Sequence, residues 1–139
     1  MREQAYRFSD VIVTIGNEEI FGYAKADDCV KITPNQDQTT DIVGADGYLI
    51  WNVSENDTAT VELKLAVTSE SNDTLNQIYR SYRKHGIVFR DGILIRDLST
   101  DFEFSADNFV VKNLPEIIRG ETVDSQLWTL STGKSEMDF

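Results

Sequence analysis

Ser131-Thr132-Gly133-Lys134-Ser135 comes nearest in residue type to phosphate chemistry, since a glycine loop followed by a lysine and a hydroxyl cradles phosphate oxygens. That motif needs another glycine five residues before Gly133, where Trp128 stands, so phosphate binding is not expected. Paired carboxylates recur at Glu18-Glu19, Asp27-Asp28 and Asp101 with Glu103, and two carboxylates in the right geometry hydrolyse glycosides. With 24 acidic side chains, pairs arise at any spacing, and solvated surface is the expectation. Asp and Asn oxygens suit calcium, but the spaced ligands and glycine of an EF-hand loop are absent. A nucleophilic triad lacks its parts: His85 is the single histidine, at the end of a helical pattern, and there is no Gly-x-Ser-x-Gly turn. Cys29 is the single cysteine, which excludes an intrachain disulfide and argues against a zinc site. It is expected as a small buried apolar residue, and His85 as a complement to a helix dipole. No catalytic, cofactor or metal site is therefore expected.

The elements that such residues would sit on are those of a single domain over 1–139, 40% hydrophobic and 27% charged. No apolar stretch approaches the roughly 18 to 20 residues of a membrane span, so membrane insertion is not expected. Met1 to Ser9 carry Arg2, Glu3 and Arg7 without an apolar core, so no secretory signal is expected and folding in a cytoplasm is. The sequons at Asn52, Asn56 and Asn72 are then matches of pattern only. The net charge of −11 has the wrong sign for neutralising phosphates, which argues against specific nucleic-acid binding. Residues 71–90 run against this trend, holding Arg80, Arg83, Lys84 and Arg90 against Asp73.

Strand patterns dominate. Val11, Val13 and Ile15 alternate along one run that stops at Gly16-Asn17, and further runs cover Cys29 to Thr33, Thr39 to Val43 and Tyr48 to Ser54. Gly44 to Gly47 supplies a turn. The clearest alternation is Ala59, Val61, Leu63, Leu65 and Val67, apolar on one face and polar on the other, as in an antiparallel sheet with one face on a core. Asn56-Asp57 reads as a hairpin turn that would pair Tyr48–Ser54 with Thr58–Thr68. The period then becomes helical: Leu75, Ile78, Tyr79 and Tyr82 share a face of a helix over about 73–85, with Ser71, Asn72 or Asp73 as cap. Strands follow around Ile93 to Leu98, after an Asp91-Gly92 turn, and at Asp101–Ser105, Asn108–Lys112 and Gln126–Ser131. Glu116–Arg119 is too short for more than a helical turn, and 132–139 is expected as a flexible tail. No internal repeat or low-complexity linker is present. The fold class is mainly β, a two-sheet antiparallel sandwich or partial barrel with one flanking helix.

The order of these features resembles the tail-tube protein family of contractile-tailed bacteriophages. The features are the strand Asp10–Ile15, Ala45-Asp46-Gly47 before a strand, the long strand Thr58–Thr68, and Thr68-Ser69-Glu70-Ser71-Asn72-Asp73-Thr74-Leu75 entering the helix. Leu94-Ile95-Arg96-Asp97, Lys112–Pro115 and the terminal strand with Trp128 complete the set. Tube subunits of type VI secretion and of contractile bacteriocins are similar in architecture. The resemblance implies a non-enzymatic structural subunit of the virion tail, made in the host cytoplasm. Six copies would close into a ring whose sheets join into one barrel, and rings would stack into a hollow conduit for the genome. Its implied partners are further copies of itself, the tail sheath, a baseplate or tube initiator and a tail terminator, with DNA passing through without specific binding.

On that basis Glu62, with Asp41 and Asp46, is expected to line the lumen, where carboxylates repel phosphates. Lys64 shares the Glu62 face and departs from an acidic wall. Pro34, Asn35, Gln36, Asp37, Gln38, Gly44, Ala45, Asp46 and Gly47 are the expected contacts between rings. Arg80, Arg83 and Lys84 are expected either to complement the helix dipole or to meet acidic groups of a neighbouring subunit. The alternatives are a tube subunit of a related contractile injection or secretion system, a ligand-binding β-sandwich using Trp51, Trp128 and Tyr48 as a stacking platform, and an acid-dependent hydrolase.

Overall fold

A computed structural model describes residues 6–86, 92–121 and 125–139, so Arg2, Glu3, Arg90 and Asp91 of the sequence reading lie outside the described residues. A single 3-10 turn at Phe8–Asp10 leads into β1 (Val11–Ile15), β2 (Glu18–Ile20), β3 (Val30–Pro34), β4 (Thr39–Val43), β5 (Leu49–Val53) and β6 (Ala59–Ala66). Then come the helix α1 (Ser71–His85) and β7 (Ile93–Asp97), β8 (Phe102–Ala106), β9 (Phe109–Asn113), β10 (Ser125–Thr132) and β11 (Ser135–Asp138). One sheet has the order β11-β8-β7-β1-β2 and a second β3-β6-β10-β9, all antiparallel, while among the described residues β4 and β5 pair only with each other. The sheets are not closed into a barrel, and the mainly β fold with one helix is the expected one.

Period-2 alternation builds the core. In β6 the residues Ala59, Val61, Leu63 and Leu65 are fully buried while those between them are half exposed. Register carries this pattern across neighbouring strands: Val30, Leu63 and Trp128 lie side by side in the second sheet, as do Ile32, Val61, Leu130 and Val111. In the first sheet a row runs through all five strands, Ile20, Val13, Ile95, Phe104 and Met137. Each large apolar side chain buried in this way contributes about 1.5–3 kcal/mol, which sets the register, because a slip of one residue would turn a whole row outward.

Two expectations are corrected. First, β5 does not pair with β6; it folds back on β4 through the Gly44–Gly47 turn, where Gly47 has φ +83° and donates to the Gly44 carbonyl at 2.9 Å. Both sides of β6 are taken by β3 and β10, and Asn56, whose side-chain oxygen accepts from the Thr58 N–H at 3.0 Å, only redirects the chain. Second, 132–139 is not a free tail: Met137 completes the apolar row on Phe104, the Ser135 N–H and hydroxyl both donate to the Asp57 carbonyl, and Phe139 packs its ring on Phe102 at 5.0 Å. Glu116–Arg119, too short for more than a helical turn, is an irregular segment.

The helix begins at Ser71, two residues early, and its N-cap Glu70 makes no side-chain cap. The polar side chains expected there tie α1 to the sheets instead. Ser71 Oγ accepts the Phe21 N–H at 3.0 Å, and the Asn72 amide donates to the Ala66 carbonyl at 2.9 Å while its oxygen accepts the Trp128 indole N–H at 2.8 Å. Gly22 makes this docking possible, with φ +76°, a carbonyl that accepts the Ala66 N–H at 2.8 Å, and Ser69 Cβ only 2.8 Å from where a Cβ would stand. Gly22→Ala is expected to cost about 1–3 kcal/mol through the left-handed backbone alone, read as a lower urea midpoint at unchanged slope. An unchanged midpoint would remove the constraint argued for this position.

Candidate functional site

The β4–β5 hairpin stands away from both sheets. All ten of its strand residues are exposed, and both of its faces carry apolar side chains. Register puts Val53, Trp51, Asp41, Val43 and Leu49 on one face and Ile42 and Ile50 on the other. Trp51 is 64% exposed and Val53 76%. A two-stranded ribbon is marginal in water by itself, and contiguous exposed apolar surface marks an interaction site. Its ends are held together, since the Ser54 N–H donates to the Gln38 carbonyl at 2.7 Å.

Of the segment from Pro34 to Gly47, Pro34 stays on the sheet opposite Ala59 and the residues after it run out into one projection. Asn35 forms its root, donating from its amide to the Thr58 hydroxyl and accepting from that of Thr60, both at 2.8 Å. Gln36, Asp37 and Gln38 lead out, and Gly44, Ala45, Asp46 and Gly47 make the tip, where Asp46 Oδ1 accepts the Tyr48 N–H at 3.2 Å. The sequence reading missed the apolar half of this projection, Ile42, Val43, Leu49, Ile50 and Val53, and named Trp51 as a stacking platform instead of a contact. The signal was present in Leu49-Ile50-Trp51, an apolar run without the alternation that a half-buried strand shows.

The residues expected in a lumen fall into two groups. Glu62 and Lys64 share the outer face of β6, with Lys31 and Thr129 directly beside Glu62. Asp41 and Asp46 lie out on the hairpin instead. Lys64 Nζ donates to Asp28 Oδ1 at 2.7 Å; that hydrogen bond holds the Asp28 carboxyl below its ordinary range and raises the Lys64 ammonium above its own. The charge of Lys64 is thus offset locally.

Arg80, Arg83 and Lys84 are exposed on the last turns of α1 with His85. The Tyr82 hydroxyl donates to the Val111 carbonyl at 2.7 Å and fixes this end of the helix against β9. The aromatic platform of the ligand-binding alternative does not form, because Trp128 is buried and hydrogen-bonded while Trp51 and Tyr48 are exposed on the hairpin. Cys29 is buried, its thiol donating to the Ala24 and Ala26 carbonyls at 2.9 and 3.1 Å. Burial pushes the Tyr23 phenol up, and its hydroxyl has no partner among the described residues. Among those residues no group of three or more His, Cys, Asp or Glu is placed to hold a metal ion, and no helix is long and apolar enough to cross a membrane.

Two antiparallel sheets, one helix tied across their side and a projecting hairpin make up the architecture. Among solved structures, the sheath/tube terminator of the extracellular contractile injection system PVC in its extended state is similar, with a TM-score of 0.66 at 17% identity over 99% of both chains. The tube-terminating cap of the anti-feeding prophage gives 0.65 at 13% identity over 99% of this chain and 93% of that one. A chain of the native gene transfer agent particle gives 0.65 at 14%, over 97% and 100%. No curated protein matches the sequence. The family described as Bacteriophage PhiTE tail tube protein matches residues 4–133, and the chain belongs to it. That family is one of structural phage tail tube proteins, and the solved structures share its fold.

Proposed function

We propose that this chain is a non-catalytic tail-tube subunit that closes into six-membered rings and stacks them into a conduit for the genome. The observation that carries this reading is the β4–β5 hairpin, a largely apolar ribbon with no strand partner beyond itself among the described residues. Such a ribbon is stable when a neighbouring copy covers it, and a head-to-tail contact that does not close on itself generates a filament. The residues from Pro34 to Gly47 then act between rings, together with the apolar hairpin residues. Sheath, initiator and terminator proteins would complete the tail, with assembly in the host cytoplasm.

In this reading the outer face of β6 lines the conduit. Glu62 stands there between Lys31 and Thr129, so that Glu62 offsets Lys31 and Asp28 offsets Lys64, which leaves little net attraction for phosphates sliding past. Negative-stain microscopy of the purified chain at rising concentration tests the proposal, with stacked hollow rings expected. A protein that stays monomeric at high concentration would overturn it. Glu62→Lys is expected to leave assembly intact and to impair DNA passage in a genome-delivery assay, whereas normal passage would discard the lining assignment.

A further inference from the structure

The two edges of the second sheet differ in both charge and backbone coverage. At the β9 edge lies α1, presenting Arg80, Arg83 and Lys84 at spacings of three and four residues on one exposed helix face. Among the described residues the ion pairs are Arg7 with Asp10 and Lys64 with Asp28, so these three cations have none. At the opposite edge β3 has no further strand beside it among the described residues. The Cys29 carbonyl accepts from Lys64 N–H and the Asn35 N–H donates to Thr58, which directs the backbone groups of Lys31 and Thr33 to β6 and those of Val30 and Ile32 outward. These outward groups meet no backbone partner among the described residues.

Beside this open edge is a cleft of about 310 Å³ whose walls include Tyr6, Phe8, Ile32 and Phe102, with the carboxylates of Asp27 and Asp97. Hydrogen bonds from Ser99 and Thr100 hold the Asp97 carboxyl below its ordinary range, so it is charged at neutral pH. Aromatic walls with carboxylates suit one kind of guest: a long cationic side chain, whose alkyl stem covers apolar surface while its head pairs with an acid or lies on a ring face.

We infer that this cleft receives the basic end of α1 from a second copy of the chain, so that Arg80, Arg83 and Lys84 of one subunit meet Asp27 and Asp97 of the next. The inference rests on the ring reading above and names the contact that closes the ring. A copy of the same chain is the occupant because donor and acceptor sit at opposite edges of one sheet. Repeating such a head-to-tail contact carries the chain around a ring. A polyanion such as DNA carries the wrong charge for the cleft.

Two variants, Arg83→Glu with Lys84→Glu and separately Asp27→Lys, test the contact; all three positions are exposed, and circular dichroism checks that the fold is kept. Each variant alone sets like charges face to face and is expected to need at least roughly tenfold more protein to associate, as read by mass photometry. Mixed in equal amounts they present opposite charges at every contact of an alternating ring, and association is expected to recover. Rings of the unaltered chain that are indifferent to both changes would overturn this contact and leave the tube reading standing. Weakened association without recovery on mixing would also overturn the pairing. An unaltered chain that never associates would remove the tube reading and this contact together.

Discussion

Replacing Thr39–Val53 by a short glycine-serine linker is expected to abolish tube formation while leaving the two-sheet fold intact. The separation follows from geometry: the Ser54 N–H reaches the Gln38 carbonyl at 2.7 Å, so the ends to be joined are already adjacent. The register of β3 on β6 lies wholly outside the deleted segment. No side chain of the hairpin belongs to the buried core, so the urea midpoint should shift little. Sedimentation and negative-stain microscopy should then show rings without stacks. Trp51→Ala is the graded version. A central aromatic anchor is worth about 2 kcal/mol or more in an interface, so the concentration needed for stacking should rise on the order of thirtyfold at 1.4 kcal/mol per tenfold. Full-length tubes from the shortened chain would remove the hairpin from the stacking contact.

Trp128→Ala has the largest expected effect on the fold itself. Trp128 is 3% exposed, lies between Leu63 and its own strand neighbours in the second sheet, and donates its indole N–H to Asn72 Oδ1 at 2.8 Å. Truncating a buried aromatic side chain of this size costs about 3–5 kcal/mol. Against a typical total of about 5–15 kcal/mol, the variant should be marginal, with a urea midpoint far below that of the parent. Trp128→Phe keeps much of the bulk and loses the hydrogen bond, for an expected loss nearer 1–2 kcal/mol. The difference between the two separates packing from the tie to α1. Equal losses would mean that the hydrogen bond, and not the ring, holds this region.

The long strand was legible because its alternation is a local property. Val61, Leu63 and Leu65 are buried while Glu62 and Lys64 face outward, as period 2 requires. The helix was legible for the same reason, its apolar stripe Leu75, Ile78, Tyr79 and Tyr82 facing the core. The partner of a strand is not a local property. Thr58–Thr68 carries an apolar face that satisfies any neighbour with a matching one, and only the assembled sheet chooses β3 and β10 over the adjacent β5. Residues 135–138 misled in the same way: their polar composition reads as tail, yet Met137 alone is enough to complete a row already laid down by Phe104, Ile95 and Val13.

The candidate surfaces divide along the same line. The basic helix end and the turn at Gly44–Gly47 follow from residue type and spacing. The grouping of Asp41 and Asp46 with Glu62 does not survive folding, because the first two ride on the hairpin while Glu62 stays on the sheet.

By itself the sequence determined the period of each element, the excess of acid, the absence of an assembled catalytic motif, and the order of features that resembles tail-tube proteins. Tertiary structure alone decided which strands are neighbours, which edge is left open, and that Leu49-Ile50-Trp51 is a projecting ribbon instead of core. The physical reason is range. Periodicity and turn chemistry act over a few residues and are written in them, whereas exposure is what remains after distant segments have competed for the same buried face. Here β6 gave both its edges to β3 and β10, and the apolar hairpin was left outside with no strand partner beyond itself among the described residues.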